Sequence, residues 1–141
     1  MGSVDQRQSG ASAVEFAVIA PLFIAVLFAV VEFGIILYTQ SIITHATREG
    51  ARLGVVFSTP RTNDAAIRAE VQGFLDQCGL TSTAGITIAP PLASRIGGTP
   101  LTVRVDYTYQ FFVLPRNITN FLFGERMANL NLAATTVMRM E

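Results

Sequence analysis

The residues that could carry enzymatic chemistry are few in this chain. Among 141 residues there is one cysteine, Cys78, and one histidine, His45. A lone cysteine excludes an internal disulfide and a multi-cysteine metal site, and a lone histidine removes most triad and histidine-metal chemistries. A hydrolase built on Cys78 or His45 has no support from a phosphate loop, a G-x-S-x-G elbow or an H-E-x-x-H string. We therefore expect no enzyme, no catalytic residue, no metal and no cofactor.

The composition narrows the class of protein further. Half of the residues are apolar and 14% are charged, against about 25% in a typical soluble domain. This hydrophobic excess excludes a disordered chain. The net charge is zero and there is no basic tract, so we expect no direct partner among nucleic acids.

The apolar residues are concentrated near the start of the chain, where two acids interrupt them. In residues 11–47 the only formal charges are those of Glu15 and Glu32, and residues 16–31 contain no polar side chain. A helix of about 20 apolar residues crosses a bilayer core of about 30 Å. We therefore predict one membrane-spanning helix in contact with lipid. A cleaved secretory signal is disfavoured, because the small-x-small run Ala11-Ser12-Ala13 precedes the apolar stretch instead of following it.

Glu15 lies at the threshold of this apolar stretch. A charged side chain in apolar surroundings is costly unless it is paired, and position alone favours a solvated, interfacial carboxylate. The neighbours of Glu15 add information, because Gly10 lies five residues before it and Phe16 follows it directly. Residues 1–10 form a short polar leader ahead of this pattern.

The pattern resembles the processing site of type IV pilin-like precursors, which a membrane aspartyl peptidase cuts after the glycine of a G-x-x-x-x-E-[FY] motif. Further strings are similar to the TadE-like family of the tight-adherence (Tad) pilus system. They are residues 13–17 (AVEFA), 21–22 (PL), 32–34 (EFG), 48–52 (REGAR) and 134–141 (ATTVMRME). The short motif alone is weak, whereas its coincidence with the apolar helix and the REGAR string is specific.

The resemblance implies a minor pilin, or pseudopilin, of a Tad (type IVc) pilus, needed for pilus assembly, initiation or adhesion. A prepilin peptidase would cut between Gly10 and Ala11. The expected divisions are a leader (1–10), a transmembrane helix with its extension (11–57) and an extracytoplasmic α+β head (58–141). The alternative is a stand-alone membrane-anchored extracytoplasmic binding module.

The resemblance also implies partners and a location. The expected partners are the prepilin peptidase, other major and minor pilin subunits, an inner-membrane assembly platform and membrane lipid. The expected location is the bacterial inner membrane, with a single pass, a cytoplasmic N-terminus and a periplasmic or extracellular head, and a place in the pilus after assembly.

Cleavage would give Ala11 a new α-amino group. A free α-amino group titrates at about pH 7.7–8.0 in water, so it would be largely cationic at neutral pH. In a bundle of such helices, Glu15 of one subunit would neutralise the Ala11 amine of a neighbour. The Coulomb attraction is strong in low dielectric, but desolvation consumes much of it. We therefore expect Glu15 to set the axial register of subunits more than to add stability.

Two further residues of the helix are expected to serve assembly. Pro21 removes a helix hydrogen bond and predicts a kink or a loosened turn, or else is a tolerated membrane proline. Glu32 lies 21 residues after Ala11, about 31 Å of helix. That distance predicts a carboxylate at the outer interface, in contact with water and headgroups. A pairing role for Glu32 in the filament is the less favoured alternative.

Beyond the membrane, the helix is expected to continue. Small residues recur every four positions, at Ala46, Gly50 and Gly54, and allow close approach of another helix or of a sheet. Arg48 and Arg52 lie one turn apart, so either a solvated face or a carboxylate partner elsewhere, such as Asp106 or Glu125, is expected. The Ser-Thr-Pro string in residues 57–62 ends the helix.

A second helix is predicted from Asn63 or Asp64, either of which is a good cap, to Gly79. Its apolar face would carry Ile67, Val71, Phe74, Leu75 and Cys78, which recur at helical spacing. Cys78 is accordingly expected to be a small core residue.

The remainder predicts strands. Residues 101–111 alternate between apolar and polar, residues 130–140 alternate similarly, and residues 85–89 form a shorter strand. The apolar connection at residues 111–115 and 121–123 is expected to pack in part and to leave a contact patch. The predicted class is α+β and pilin-like: a long N-terminal transmembrane helix, then a small head with one amphipathic helix and a three-stranded antiparallel sheet.

Overall fold

The computed structural model describes residues 3–80, 84–113 and 130–141. Two helices, α1 (Ser3–Val55) and α2 (Asp64–Gln77), precede three strands, β1 (Ala84–Ala89), β2 (Pro100–Tyr109) and β3 (Leu130–Arg139). A 3-10 turn at Leu92–Ser94 lies between β1 and β2. The strands form one antiparallel sheet in the order β1-β2-β3. The predicted α+β class is confirmed.

α1 changes character half-way along its length. From residue 10 to residue 31 almost every side chain is exposed, and the most apolar window there has a mean hydropathy of 2.7. Within the part of the chain that the structure describes, this helix is long and apolar enough to cross a membrane. From Glu32 onward one face of α1 is buried against α2 and the sheet. The first half is therefore an exposed apolar rod, and the second half is part of the core of the head.

The small residues of α1 allow this close packing. A Cβ atom built on Gly50 would lie 2.3 Å from Cγ2 of Val71, and one built on Gly54 would lie 2.4 Å from Cδ2 of Leu101. Ala46 is fully buried on the same side of the helix. Close approach at this small-residue face is thus confirmed, with α2 and β2 covering both Gly50 and Gly54.

α2 has the cap and the apolar face that its sequence predicts. The Asn63 side chain accepts a hydrogen bond from the Ala66 N–H at 2.8 Å, and Ile67, Val71 and Leu75 are fully buried. Antiparallel packing on α1 brings Ile67 to Gly54 and Val71 to Gly50.

The core position predicted for Cys78 is wrong. Cys78 is exposed, because α2 ends at Gln77 and Cys78 is the cap residue with non-helical backbone angles. Gly79 follows with φ +77°, a conformation that glycine adopts readily, and turns the chain away from the helix. The helical spacing that predicted a buried Cys78 holds only within the helix, and Cys78 lies beyond its end.

The sheet presents one face to the helices. Leu101, Val103 and Val105 of β2 are fully buried, and Ala134 of β3 lies opposite Val105. The predicted alternation is confirmed, although β2 ends at Tyr109 instead of residue 111.

Among the described residues, the ion pair suggested between the arginines of α1 and Asp106 is not formed by Arg52. Arg52 pairs with Glu49 on its own helix, and Asp106 pairs with Arg104 on its own strand. Both pairs are exposed and local, so they add little stability. Glu125 lies outside the described residues, as does the apolar connection beyond Val113.

We expect Gly50→Val to lower the free energy of unfolding of the head by about 1–3 kcal/mol, because the new side chain overlaps Val71 in a packed core. Urea unfolding of the full chain in detergent, followed by circular dichroism, measures this. Gly73→Ala is the control, since a Cβ atom there meets nothing within 4 Å. The control should be neutral or more stable by up to about 1 kcal/mol. Equal stability of the two variants would contradict close packing at Gly50.

Candidate functional site

The processing residues predicted from the sequence all lie on the exposed rod. Gly10, Ala11, Glu15 and Phe16 are exposed positions of α1, and none of the head elements that the structure describes covers them. α1 runs through Pro21 as one helix, and Pro21 is exposed as well. These side chains are therefore accessible to lipid or to another protein next to the rod.

Glu32 differs from them, because the head encloses its carboxylate. The residue is 2% exposed, and among the described residues Tyr109 at the end of β2 and two residues after it donate hydrogen bonds to its carboxylate. Tyr109 Oη donates to Oε1 at 2.6 Å, the Phe112 N–H donates to Oε1 at 3.0 Å, and the Val113 N–H donates to Oε2 at 2.7 Å. The predicted contact of this carboxylate with water and headgroups is wrong, since the chain after β2 folds over it.

The course of the chain after β2 explains these donors. Tyr109 is the last ladder residue of β2, paired with Leu130, and it faces the helices like the other odd-numbered residues of the strand. Its ring meets the ring of Phe111 edge-on, with centroids 5.9 Å apart. The chain then bends at residues 112–113 and presents two successive N–H groups to one carboxylate. The sequence predicted a strand up to residue 111 because the apolar residues that follow Tyr109 continue the alternation beyond the observed end of β2.

The tyrosine hydroxyl is held in its neutral, donating form. Burial, reinforced by the hydrogen bond to Glu32 and by the negative charge there, raises the pKa of Tyr109 well above its ordinary value of about 10. A hydrogen bond to an ionised acceptor is stronger than a neutral one. Glu32 and Tyr109 therefore join α1 to the end of β2.

Further contacts attach the head to the second half of α1. Gln40 Nε2 donates to the Ala133 carbonyl at 2.9 Å, and the hydroxyls of Thr47 and Thr136 lie 2.8 Å apart. At the far end of α1, the Glu141 N–H donates to the Val55 carbonyl at 3.2 Å. The head is thus joined to the helix from its lower edge at Glu32 to its upper end.

Sequence reasoning missed Tyr109 as part of this site. Two signals were present in the sequence: Glu32 is an acid within an apolar helix, and Tyr109 is an apolar-face residue of the longest alternating strand that carries a hydroxyl donor. A buried carboxylate needs donors, but periodicity does not show which loop supplies them.

Residues 10–52 match the family model of the TadE-like proteins. The chain carries a TadE-like segment. It contains Gly10, Ala11, Glu15, Phe16, Pro21 and Glu32, and it ends at the second arginine of the REGAR string. No curated protein and no solved structure matches the chain.

The TadE-like match associates this segment with a family of pilus components and places the match on the apolar helix. TadE-like proteins are associated with the Tad pilus, as pilus components that are not known as enzymes. The long apolar helix that carries the match fits a single-pass membrane anchor.

We expect Tyr109→Phe to destabilise the head by about 1–3 kcal/mol at neutral pH, because the substitution removes a donor from a buried carboxylate. We also expect it to change the alkaline profile. The folded-state pKa of Tyr109 is raised, so its stabilising contribution is complete below about pH 10 and declines as pH rises towards the folded pKa.

Urea midpoints of the full chain between pH 8 and 11, about the range spanning the free tyrosine pKa, measure this effect. The parent chain should lose stability at the alkaline end more steeply than Tyr109→Phe. Tyr107→Phe, which keeps the Glu32–Tyr109 hydrogen bond, should retain the parent slope. Parallel profiles for the parent chain and Tyr109→Phe would contradict the assignment.

Proposed function

We propose that this chain is a minor pilin, or pseudopilin, of a Tad (type IVc) pilus, cut by a prepilin peptidase between Gly10 and Ala11. The observation that carries the proposal is the position of the TadE-like match on α1. The match begins at the glycine of the processing motif, runs along the exposed apolar rod and ends within the helical stretch that packs against the head. The leader is then residues 1–10, the helix and its extension are residues 11–57, and the head is residues 58–141.

The chemistry of assembly follows from the first residues of the cut chain. The new amine on Ala11 is cationic near neutral pH, and Glu15 lies one helical turn beyond it. In a bundle of rods, the Glu15 carboxylate pairs with the Ala11 amine of an adjoining pilin subunit, which removes two unpaired charges from a low-dielectric environment. Only the register that aligns these two groups satisfies both charges.

Pro21 and Glu32 have different roles in this proposal. Pro21 leaves a backbone carbonyl of the rod without its usual helical donor, which loosens the turn as the helix leaves the bilayer. Glu32 acts within its own chain, because its carboxylate oxygens are bound by the head. It holds the head at a fixed place on the helix, so that subunit register in the rod also sets the register of the heads.

The surroundings of the protein follow from the same layout. The leader faces the cytoplasm, the rod crosses the inner membrane once, and the head lies in the periplasm or outside the cell. The partners are the prepilin peptidase, major and minor pilin subunits, the inner-membrane assembly platform and lipid. The chain contributes to pilus assembly, initiation or adhesion.

Processing is tested by intact-mass measurement of the full chain expressed with and without a Tad prepilin peptidase. We expect the peptidase to remove residues 1–10 and to leave Ala11 as the first residue. Gly10→Ala should block the cut, while Gly34→Ala, a substitution in open space on the same helix, should leave it unchanged. An uncut parent chain would favour the stand-alone binding module, and cutting of Gly10→Ala would contradict the site.

Assembly is tested by Glu15→Gln in cells that make the pilus, with recovery of the chain in sheared pili as the measurement. We expect recovery to fall at least about tenfold, equivalent to about 1.4 kcal/mol of lost pairing. Glu70→Gln is the matched control, because Glu70 is an exposed residue of α2 far along the chain from the rod. Unchanged recovery of Glu15→Gln would contradict pairing with the Ala11 amine.

A further inference from the structure

We propose that Phe112, with Phe33 and Tyr38, seats the head on the outer surface of the phospholipid bilayer. We call these three side chains the aromatic collar. They are 84%, 61% and 66% exposed, and Phe112 is the most exposed large apolar side chain in the described part of the chain. The inference rests on the membrane anchorage of the proposed function and adds a second contact with the lipid.

The length of the rod gives the height of the collar. Between Ala11 and Glu32 lie about 31 Å of helix, and the hydrocarbon core of a bilayer is about 30 Å thick. With Ala11 at the inner boundary of the core, Glu32 lies at the outer boundary. The Phe112 N–H is bound to Glu32 Oε1 at 3.0 Å, so the backbone of Phe112 lies at the same height.

The chemistry of the collar fits that height. Tyrosine is enriched where hydrocarbon meets headgroups, because its ring lies there with the hydroxyl towards water. An exposed phenylalanine ring has no polar group to keep in water, so it gains free energy by moving from water into the acyl chains at that boundary. Phe33 follows Glu32 directly. Tyr38 lies six residues, or about 9 Å of helix, beyond Glu32, at the outer edge of the headgroup layer. The hydrogen bond from Phe112 to Glu32 fixes the loop backbone before lipid is met, so docking orders little more than one ring.

The opposite end of the head cannot make this contact with the same bilayer. Phe57 is 66% exposed but follows the end of α1 at Val55, about 35 Å beyond Glu32. An exposed aromatic residue is therefore present at both ends of the head, and only one end meets the lipid. Phe57 provides a matched control.

The chain contains no tryptophan, so single-tryptophan variants report on their own surroundings. Phe112→Trp, Phe57→Trp and Phe23→Trp are made in the full chain and reconstituted into phosphatidylcholine vesicles with acyl chains brominated either near the glycerol end or near the methyl end. Phe23 is exposed in the middle of the rod and reports membrane insertion itself.

We expect Phe112→Trp to be quenched at least about threefold more by bromine near the glycerol end than Phe57→Trp, whose emission should be that of tryptophan in water. Phe23→Trp should be quenched more by bromine near the methyl end. Quenching of Phe23→Trp without quenching of Phe112→Trp overturns the collar and leaves the proposed function intact. Blue-shifted but unquenched emission from Phe112→Trp also overturns it, because protein, such as a second copy, then covers the ring. Absence of quenching in Phe23→Trp overturns the anchorage and the collar with it.

Discussion

The carboxylate of Glu32 lies at the boundary between the two halves of α1, which need different surroundings. Below it, an exposed apolar rod, which the described parts of the head leave uncovered, needs lipid or other helices around it. Above it, one face of the same helix is the centre of a small core. A carboxylate at this boundary would be costly in apolar surroundings, and the head removes that cost by supplying two backbone N–H groups and a tyrosine hydroxyl. These bonds also fix where the head begins.

The packing above Glu32 depends on small side chains. Gly50 and Gly54 leave room for Val71 and Leu101, so α2 and β2 both approach the helix backbone closely. A small head with one amphipathic helix and three strands has little apolar area to bury, and small domains bury a low fraction of their surface. Close packing against α1 buries apolar surface of α2 and of the sheet that these two elements do not bury against each other. The head therefore needs the upper half of α1 to complete its core.

The rod and the head make separate contributions to the proposed assembly. Glu15 and the Ala11 amine would align neighbouring rods, and Glu32 would transmit that alignment to the heads through Tyr109 and the bend at residues 112–113. Neither contribution requires catalytic chemistry, in agreement with TadE-like proteins being pilus components not known as enzymes. Register in such a system is set by a few charged or polar groups in apolar surroundings, because misalignment leaves them unsatisfied.

The sequence by itself determined the elements of this protein. Periodicity, the Asn63 cap and the apolar run predicted α1, α2 and all three strands, because each depends on neighbours a few residues apart. The TadE-like strings were equally local. The tertiary structure alone decided the surroundings of Glu32, which is enclosed because donors about eighty residues later fold over it. Cys78 is exposed for a local reason, because α2 ends at Gln77, and periodicity does not locate the end of a helix to the residue. Local patterns specify the buried face within a helix or strand, whereas the solvation of a group such as the Glu32 carboxylate depends on where distant backbone comes to lie.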